Sequence, residues 1–204
     1  RIASEVGSDL PLFLLGGTVL GTGRGEQVFG LEDLPSWPCV IATPEVGVST
    51  PVAFAEWDKQ DPAKLTQQDG SDRMNVFSRS VYEWLSGSNF TPTGVPEGWD
   101  RAEALLLDLV RTGIENDFEN VVFPKYPAIR EVKRALERSG AKYVSLSGSG
   151  SAVYGLFSDR ETATAAAGKL SDNGIPAHAT VTLPRERYWK EMMGSGERRD
   201  RVIG

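Results

Sequence analysis

Cysteine and histidine are nearly absent. The 204-residue chain has one of each, Cys39 and His178. A single cysteine excludes an internal disulfide and suits a reducing compartment. A single histidine excludes a His-rich metal site, and no metal-binding set is expected. Positive charge in excess is also lacking: Lys plus Arg number 22 against 28 Asp plus Glu, a formal charge of −6. Phosphate-backbone binding needs the opposite balance, so nucleic acid is not an expected partner. No apolar run approaches the ~20 residues that span a bilayer. The longest, Leu10 to Leu20, is broken by Pro11, Gly16, Gly17 and Thr18. No basic-then-apolar leader is present, and the expected location is cytoplasmic. The chain opens on Arg1-Ile2-Ala3-Ser4-Glu5 rather than Met. That reads as the last turn of an element already under way, so the chain is expected to be a piece of a longer protein.

What is present is the composition of a globular fold, 40% hydrophobic and 25% charged. The length allows one large domain or one and a half. The first segment reads as strand (Leu12 to Leu15), glycine-punctuated strand, turn and strand (Val28 to Leu31), with Pro35 and Pro38 breaking the chain after it. Cys39 to Ala42 reads as a buried strand and Pro51 to Trp57 as a helix opened by proline. A polar loop over 58–72 follows. Apolar stripes at Met74, Phe77, Val81, Trp84 and Leu85, and at Ala102, Leu105, Leu106, Leu109 and Val110, predict two helices. They flank a loop over 87–98 that contains the sequon Asn89-Phe90-Thr91. Ile129, Val132 and Leu136 mark a further helix, closed by Gly140.

The last third is the most legible. Tyr143 to Leu146 and Ala152 to Phe157 read as strands around the turn Ser147-Gly148-Ser149-Gly150. Ser158 to Glu161 reads as a capping box, with the Ser158 hydroxyl accepting from the Glu161 amide. Ala163, Ala166, Ala167 and Leu170 give the next helix its buried stripe, and Gly174 ends it. Ala177 to Leu183 alternates like a half-buried strand. From Cys39 to Leu183 the order is that of an α+β, ferredoxin-like split β-α-β sandwich with extra helices in the first crossover. The domains are therefore expected at 1–36 (the final hairpin of a preceding domain) and 37–193 (the sandwich), with a loose tail over 194–204.

Three places could carry chemistry. In Ser147-Gly148-Ser149-Gly150-Ser151, glycines let backbone N–H groups approach an anion and serines add hydroxyl donors. The same residues also suit an ordinary hairpin turn, and no Walker lysine follows. In Gly7-Ser8-Asp9-Leu10-Pro11, Pro11 restricts Leu10 to extended geometry and so would hold Asp9 at a strand entrance. On the local residues alone, a capping or turn aspartate is the better reading there. Gly21-x-Gly23-x-Gly25-Glu26 fails the dinucleotide fingerprint, because Glu26 stands where the third glycine belongs, and reads as a tight turn. His178 reads as a surface or inter-element histidine rather than a ligand, and Cys39 and the Trp and Phe residues as core.

Together these stretches resemble the 4-diphosphocytidyl-2-C-methyl-D-erythritol kinase family within the GHMP kinases. The resemblance rests on Gly7 to Phe13, Gly16-Gly17-Thr18, Gly23 to Glu26, Pro44-Glu45-Val46-Gly47-Val48-Ser49-Thr50, Asn116-Asp117-Phe118-Glu119 with Pro127-x-Ile129, Ser147 to Ser151, and Thr182 to Arg185. It implies ATP-dependent phosphorylation of the 2-hydroxyl of a CDP-linked methylerythritol, a small-molecule substrate, with ATP and Mg2+. It implies Asp9 as the catalytic carboxylate, Ser49 and Thr50 on the substrate side, and Gly148, Ser149, Gly150 and Ser151 supporting the phosphate loop. It also implies a C-terminal GHMP kinase domain preceded by the last hairpin of a ribosomal-S5-like domain. The family's strand-borne lysine and long Gly-Ser-rich ATP loop ahead of a helix have no counterpart here, so the chain alone is expected to be inactive. Another GHMP kinase, acting on mevalonate or homoserine for example, and a non-catalytic ferredoxin-like module are the alternatives.

Overall fold

The computed structural model describes residues 2–22, 25–31, 33, 36–59 and 116–194. The expected helices over 74–85 and 102–110, the loops over 58–72 (in greater part) and 87–98 with the sequon, the turn residues Gly23 and Arg24, and the tail beyond 194 lie outside the described residues. Pro35 does too. The chain divides into two compact units, residues 1–36 with 183–204, and residues 37–182.

The first unit holds α1 (Ile2–Val6), α2 (Leu10–Leu15), the strands β1 (Val19–Thr22) and β2 (Gln27–Gly30), and α7 (Arg185–Met193). The segment Leu12 to Leu15, read as a strand, is helical. Its apolar run is too short for periodicity to separate strand from helix. Pro11 sits in the first turn of α2, where it lacks no needed donor, so it opens a helix instead of extending a strand. Gly16 ends α2 at φ 66°, its N–H bonding to the Leu12 carbonyl. β1 and β2 pair antiparallel from Val19↔Gly30 to Thr22↔Gln27, the hairpin expected around the tight turn.

Helix α7 was not foreseen, and it belongs with the first segment, although the sequence reading carried residues 183–193 with the sandwich. Polar bonds hold it there. The Arg185 guanidinium donates to the carbonyls of Gly16 (3.1 Å) and Thr18 (2.9 Å). Tyr188 Oη donates to the Phe13 carbonyl (2.8 Å) and Trp189 Nε1 to that of Leu15 (3.0 Å). Asp33 accepts from the amides of Thr18 and Arg185 at 2.8 and 2.6 Å. A Cβ at Gly16 would fall 2.3 Å from the Tyr188 ring, so this contact also requires glycine.

The second unit holds β3 (Pro38–Ala42), α3 (Thr50–Asp58), α4 (Glu119–Lys125), α5 (Pro127–Arg138), β4 (Tyr143–Leu146), β5 (Val153–Leu156), α6 (Arg160–Asp172) and β6 (Ala177–Val181). Its sheet runs β4-β5-β3-β6 and every pairing is antiparallel. This is an α+β fold with an antiparallel sheet. Val40, Ala42, Val144, Leu146 and Val153 turn to one face. There they meet Ile129, Val132 and Leu136 of α5 and Ala163, Ala166, Ala167 and Leu170 of α6. Fully burying each of the large aliphatic side chains contributes about 1.5–3 kcal/mol. Small alanines on α6 let that helix lie close to β3 and β6, which it packs against.

Four local expectations change. The cap of α6 is Asp159, one residue later than Ser158: its carboxylate accepts from the Thr162 amide (2.7 Å) and hydroxyl (2.8 Å). Aspartate is as good an N-cap as serine, so the sequence allowed both. Asp159 is held below the usual carboxylate range by these bonds. β6 ends at Val181, and its alternation is incomplete: Ala177 is buried but Ala179 is exposed. Among the described strands it has a neighbour on one side only. Finally, Trp37, Phe123 and Phe157 are buried, but Phe13, Phe29 and Phe54 are about half exposed and are not core. Cys39 is buried as expected, and burial pushes its thiol up to about 11. His178 is exposed.

Candidate active site

The turn between β4 and β5 is the serine–glycine stretch. Ser147 N–H bonds to the Ala152 carbonyl (2.8 Å) and Gly150 N–H to the Ser147 carbonyl (3.0 Å), closing a compact loop. Gly148 sits at φ 55°, a left-handed conformation that residues with a Cβ rarely adopt. A Cβ there would point into open space, so backbone conformation and not crowding calls for glycine, and the loop surface beside it is clear.

Two other segments converge on this loop. The stretch from Pro44 to Thr50 leaves β3 and enters α3. Thr50 Oγ1 lies 2.8 Å from Ser149 Oγ, and Ser151 Oγ donates to the Pro44 carbonyl at 3.3 Å. Ser49 is the N-cap of α3, extended at ψ 114°, with no capping bond from its side chain. Thr50 and the loop serines thus form one hydroxyl-rich edge, and Ser49 stands beside it in sequence.

The second segment is 116–119. Asn116 Nδ2 donates to the carbonyls of Leu146 (2.8 Å) and Gly148 (2.7 Å), while its Oδ1 accepts from Phe118 N–H (3.0 Å). Glu119 is buried, and its Oε1 accepts from Leu146 N–H (2.9 Å) and Ser145 Oγ (3.3 Å). Its other oxygen meets Lys133 Nζ at 2.5 Å. Sequence reading singled out 116–119 only as part of a resemblance and gave it no role. The available signal was a carboxylate three residues after an asparagine and just before an apolar run. That spacing suggests a capping box, yet here Glu119 reaches across to β4.

Asp9 belongs to the first unit. It precedes α2 as its N-cap residue, exposed, and its carboxylate makes no capping bond. The expected strand entrance is a helix entrance. The structure therefore brings Thr50 together with Ser149 and Ser151 but places Asp9 in the other unit. Backbone N–H groups and hydroxyls are the kinds of donor that suit an anion's oxygens, and the loop is rich in both. Among the described residues no three His, Cys, Asp or Glu side chains come together as a metal site. No described helix is long and apolar enough to cross a membrane.

Residues 102–176 match the family model described as GHMP kinases C terminal. The chain is 33% identical over 97% of its length to a 4-diphosphocytidyl-2-C-methyl-D-erythritol kinase of Solibacter usitatus, covering 55% of that protein. It is 36% identical over 87% of its length to one from Chlorobaculum parvum, covering 54% of it. The chain thus spans about half the length of the curated relatives it matches. Among solved structures it resembles a 4-(cytidine 5'-diphospho)-2C-methyl-D-erythritol kinase at 26% identity and a TM-score of 0.57, over 88% of this chain and 55% of that one. A homoserine kinase from Cytophaga hutchinsonii, 19% identical with a TM-score of 0.60 over 88% of this chain and 52% of that one, shares the fold. The chain carries a GHMP kinase C-terminal domain, and its homologues over most of its length are 4-diphosphocytidyl-2-C-methyl-D-erythritol kinases.

Proposed function

We propose that the protein carrying this chain transfers the γ-phosphoryl group of ATP to the 2-hydroxyl of 4-diphosphocytidyl-2-C-methyl-D-erythritol. The observation that carries this reading is the convergence of three separated stretches, 44–50, 116–119 and 147–151, on one glycine- and hydroxyl-rich loop. Gly148 to Ser151 support the nucleotide phosphates, and Ser49 and Thr50 line the substrate side. Asp9, whose carboxylate is not used to cap α2, orients the attacking hydroxyl and takes its proton as ADP leaves. Phosphoryl transfer has a loose transition state in which positioning and charge stabilisation do most of the work, and a carboxylate base suffices. GHMP kinases use ATP and Mg2+; Mg2+ is commonly held by one or two carboxylates together with substrate phosphates and water. In this reading the four-stranded sheet with α5 and α6 is a ferredoxin-like sandwich, and β1–β2 ends a ribosomal-S5-like domain. The setting is cytoplasmic.

The test is ATP consumption by the full-length gene product with a panel of alcohols. CDP-methylerythritol is expected to be turned over at least 100-fold faster than mevalonate or homoserine at equal concentration. Preference for either of the other two would assign a different kinase, and turnover of none would favour a non-catalytic module.

A further inference from the structure

The edge of the sheet beside the serine–glycine loop is finished by side chains. β4 is an edge strand among the described strands, and it pairs with β5 only as far as Leu146↔Val153. The amide and carbonyl of Leu146 would otherwise be left for a further strand or for solvent. Both are taken by one tetrapeptide: Glu119 accepts from the amide and Asn116 donates to the carbonyl. Asn116 then reaches two residues further and donates to Gly148 O at 2.7 Å. In a trans peptide the N–H points opposite to the C=O. Holding Gly148 O against Asn116 therefore aims the Ser149 N–H to the other side of the loop. The Ser149 hydroxyl is held in turn by Thr50 at 2.8 Å. Glu119 cannot drift, because Lys133 pairs with its second oxygen and that lysine sits over the Phe123 ring at 5.7 Å from its centre.

We propose that Asn116, backed by the Glu119–Lys133 pair, is a positioning residue that fixes the serine–glycine loop in its phosphate-accepting geometry. This rests on the reading of that loop as a nucleotide-phosphate support. Asn116 has the right chemistry for the task. Its two N–H groups satisfy two carbonyls at once while its own oxygen accepts from the chain. An aspartate of the same shape would instead set a carboxylate against both carbonyls, pushing Gly148 O away and rotating the Gly148–Ser149 peptide. Glu119→Gln keeps the acceptor oxygen for Leu146 but removes the charge that Lys133 holds.

The experiment measures ATP binding and turnover in the full-length gene product carrying Asn116→Asp, Glu119→Gln or Gly148→Ala. Thermal melting of each variant reports the folded fraction. Asn116→Asp is expected to weaken ATP binding by 10-fold or more per folded molecule while KM for the alcohol changes less than twofold. Glu119→Gln should weaken it about 3-fold in the same pattern. A purely structural role would lower the melting temperature and leave the ATP Kd of the folded molecules unchanged, and that result overturns the proposal. If Asn116→Asp does not fold, Glu119→Gln decides by the same criterion. Gly148→Ala strains the loop backbone at its left-handed position while leaving the Asn116 side chain itself intact. If it weakens ATP while Asn116→Asp and Glu119→Gln do not, the positioning role falls alone. If none of the three changes ATP binding, the phosphate reading of the loop falls with it.

Discussion

Arg185→Met removes a guanidinium that ties α7 to the first segment while keeping most of the aliphatic stem. Two of its bonds are short, to Gly16 O (3.1 Å) and Thr18 O (2.9 Å). Those to Leu31 O are long, at 3.3 and 3.4 Å, as is the 3.6 Å pairing with Asp33. Hydrogen bonds from a charged donor contribute about 1.5–3 kcal/mol each when buried. The Arg185 side chain is 31% exposed, so solvent takes part of that. Two good bonds, discounted for exposure, leave a loss of about 2–4 kcal/mol. The loss should be local to the first unit. Hydrogen exchange is the assay, and the reporter is the Leu31 amide, which donates to the same Thr18 carbonyl at 2.9 Å. Its exchange should quicken by roughly 30- to 1000-fold, the same free energy expressed as a local opening. Arg185→Lys should recover less than half of the effect, because an ammonium cannot span two carbonyls in one plane. Unchanged Leu31 exchange in Arg185→Met, or full recovery with lysine, would contradict the assignment of a guanidinium clamp.

Two further outcomes follow from single groups. Burial raises the Cys39 thiol to about 11, so at pH 8 alkylation of the native protein should be on the order of 100-fold slower than in denaturant, since only the thiolate reacts. Native labelling as fast as denatured labelling would contradict that. Asp159 is depressed by its bonds to Thr162. It therefore stabilises α6 above the unfolded carboxylate value of about 3.9, and that stabilisation is lost as pH falls through its folded value. Asp159→Asn should flatten the acid side of the stability profile measured by denaturant unfolding, and an unaltered profile would exclude the cap as its source.

The legible parts of the chain were those whose burial is periodic. Ile129, Val132 and Leu136, and Ala163, Ala166, Ala167 and Leu170, name the buried faces of α5 and α6 directly. Tyr143 to Leu146 and the following turn were equally plain, because two short apolar runs flank residues that favour tight turns. α7 was invisible for the opposite reason. Arg185 to Met193 has no buried residue, and the helix is held by Arg185, Tyr188 and Trp189 bonding to carbonyls far away in sequence. Leu12 to Leu15 failed on length, six helical residues being too few to show a period. The loop itself was found from composition, but its supports were not. Nothing in Asn116 or Glu119 taken singly says that each will reach Leu146, 30 and 27 residues away.

The measurement that bears most directly on the proposed activity is phosphorus-31 NMR of full-length gene product incubated with ATP and CDP-methylerythritol, with and without Asp9→Asn. A new phosphomonoester on the 2-hydroxyl, formed with ADP in equal amount and slowed by at least 100-fold in Asp9→Asn, within the range for loss of a positioned base, is the expected result. No phosphomonoester, or one formed at the same rate by Asp9→Asn, would contradict it.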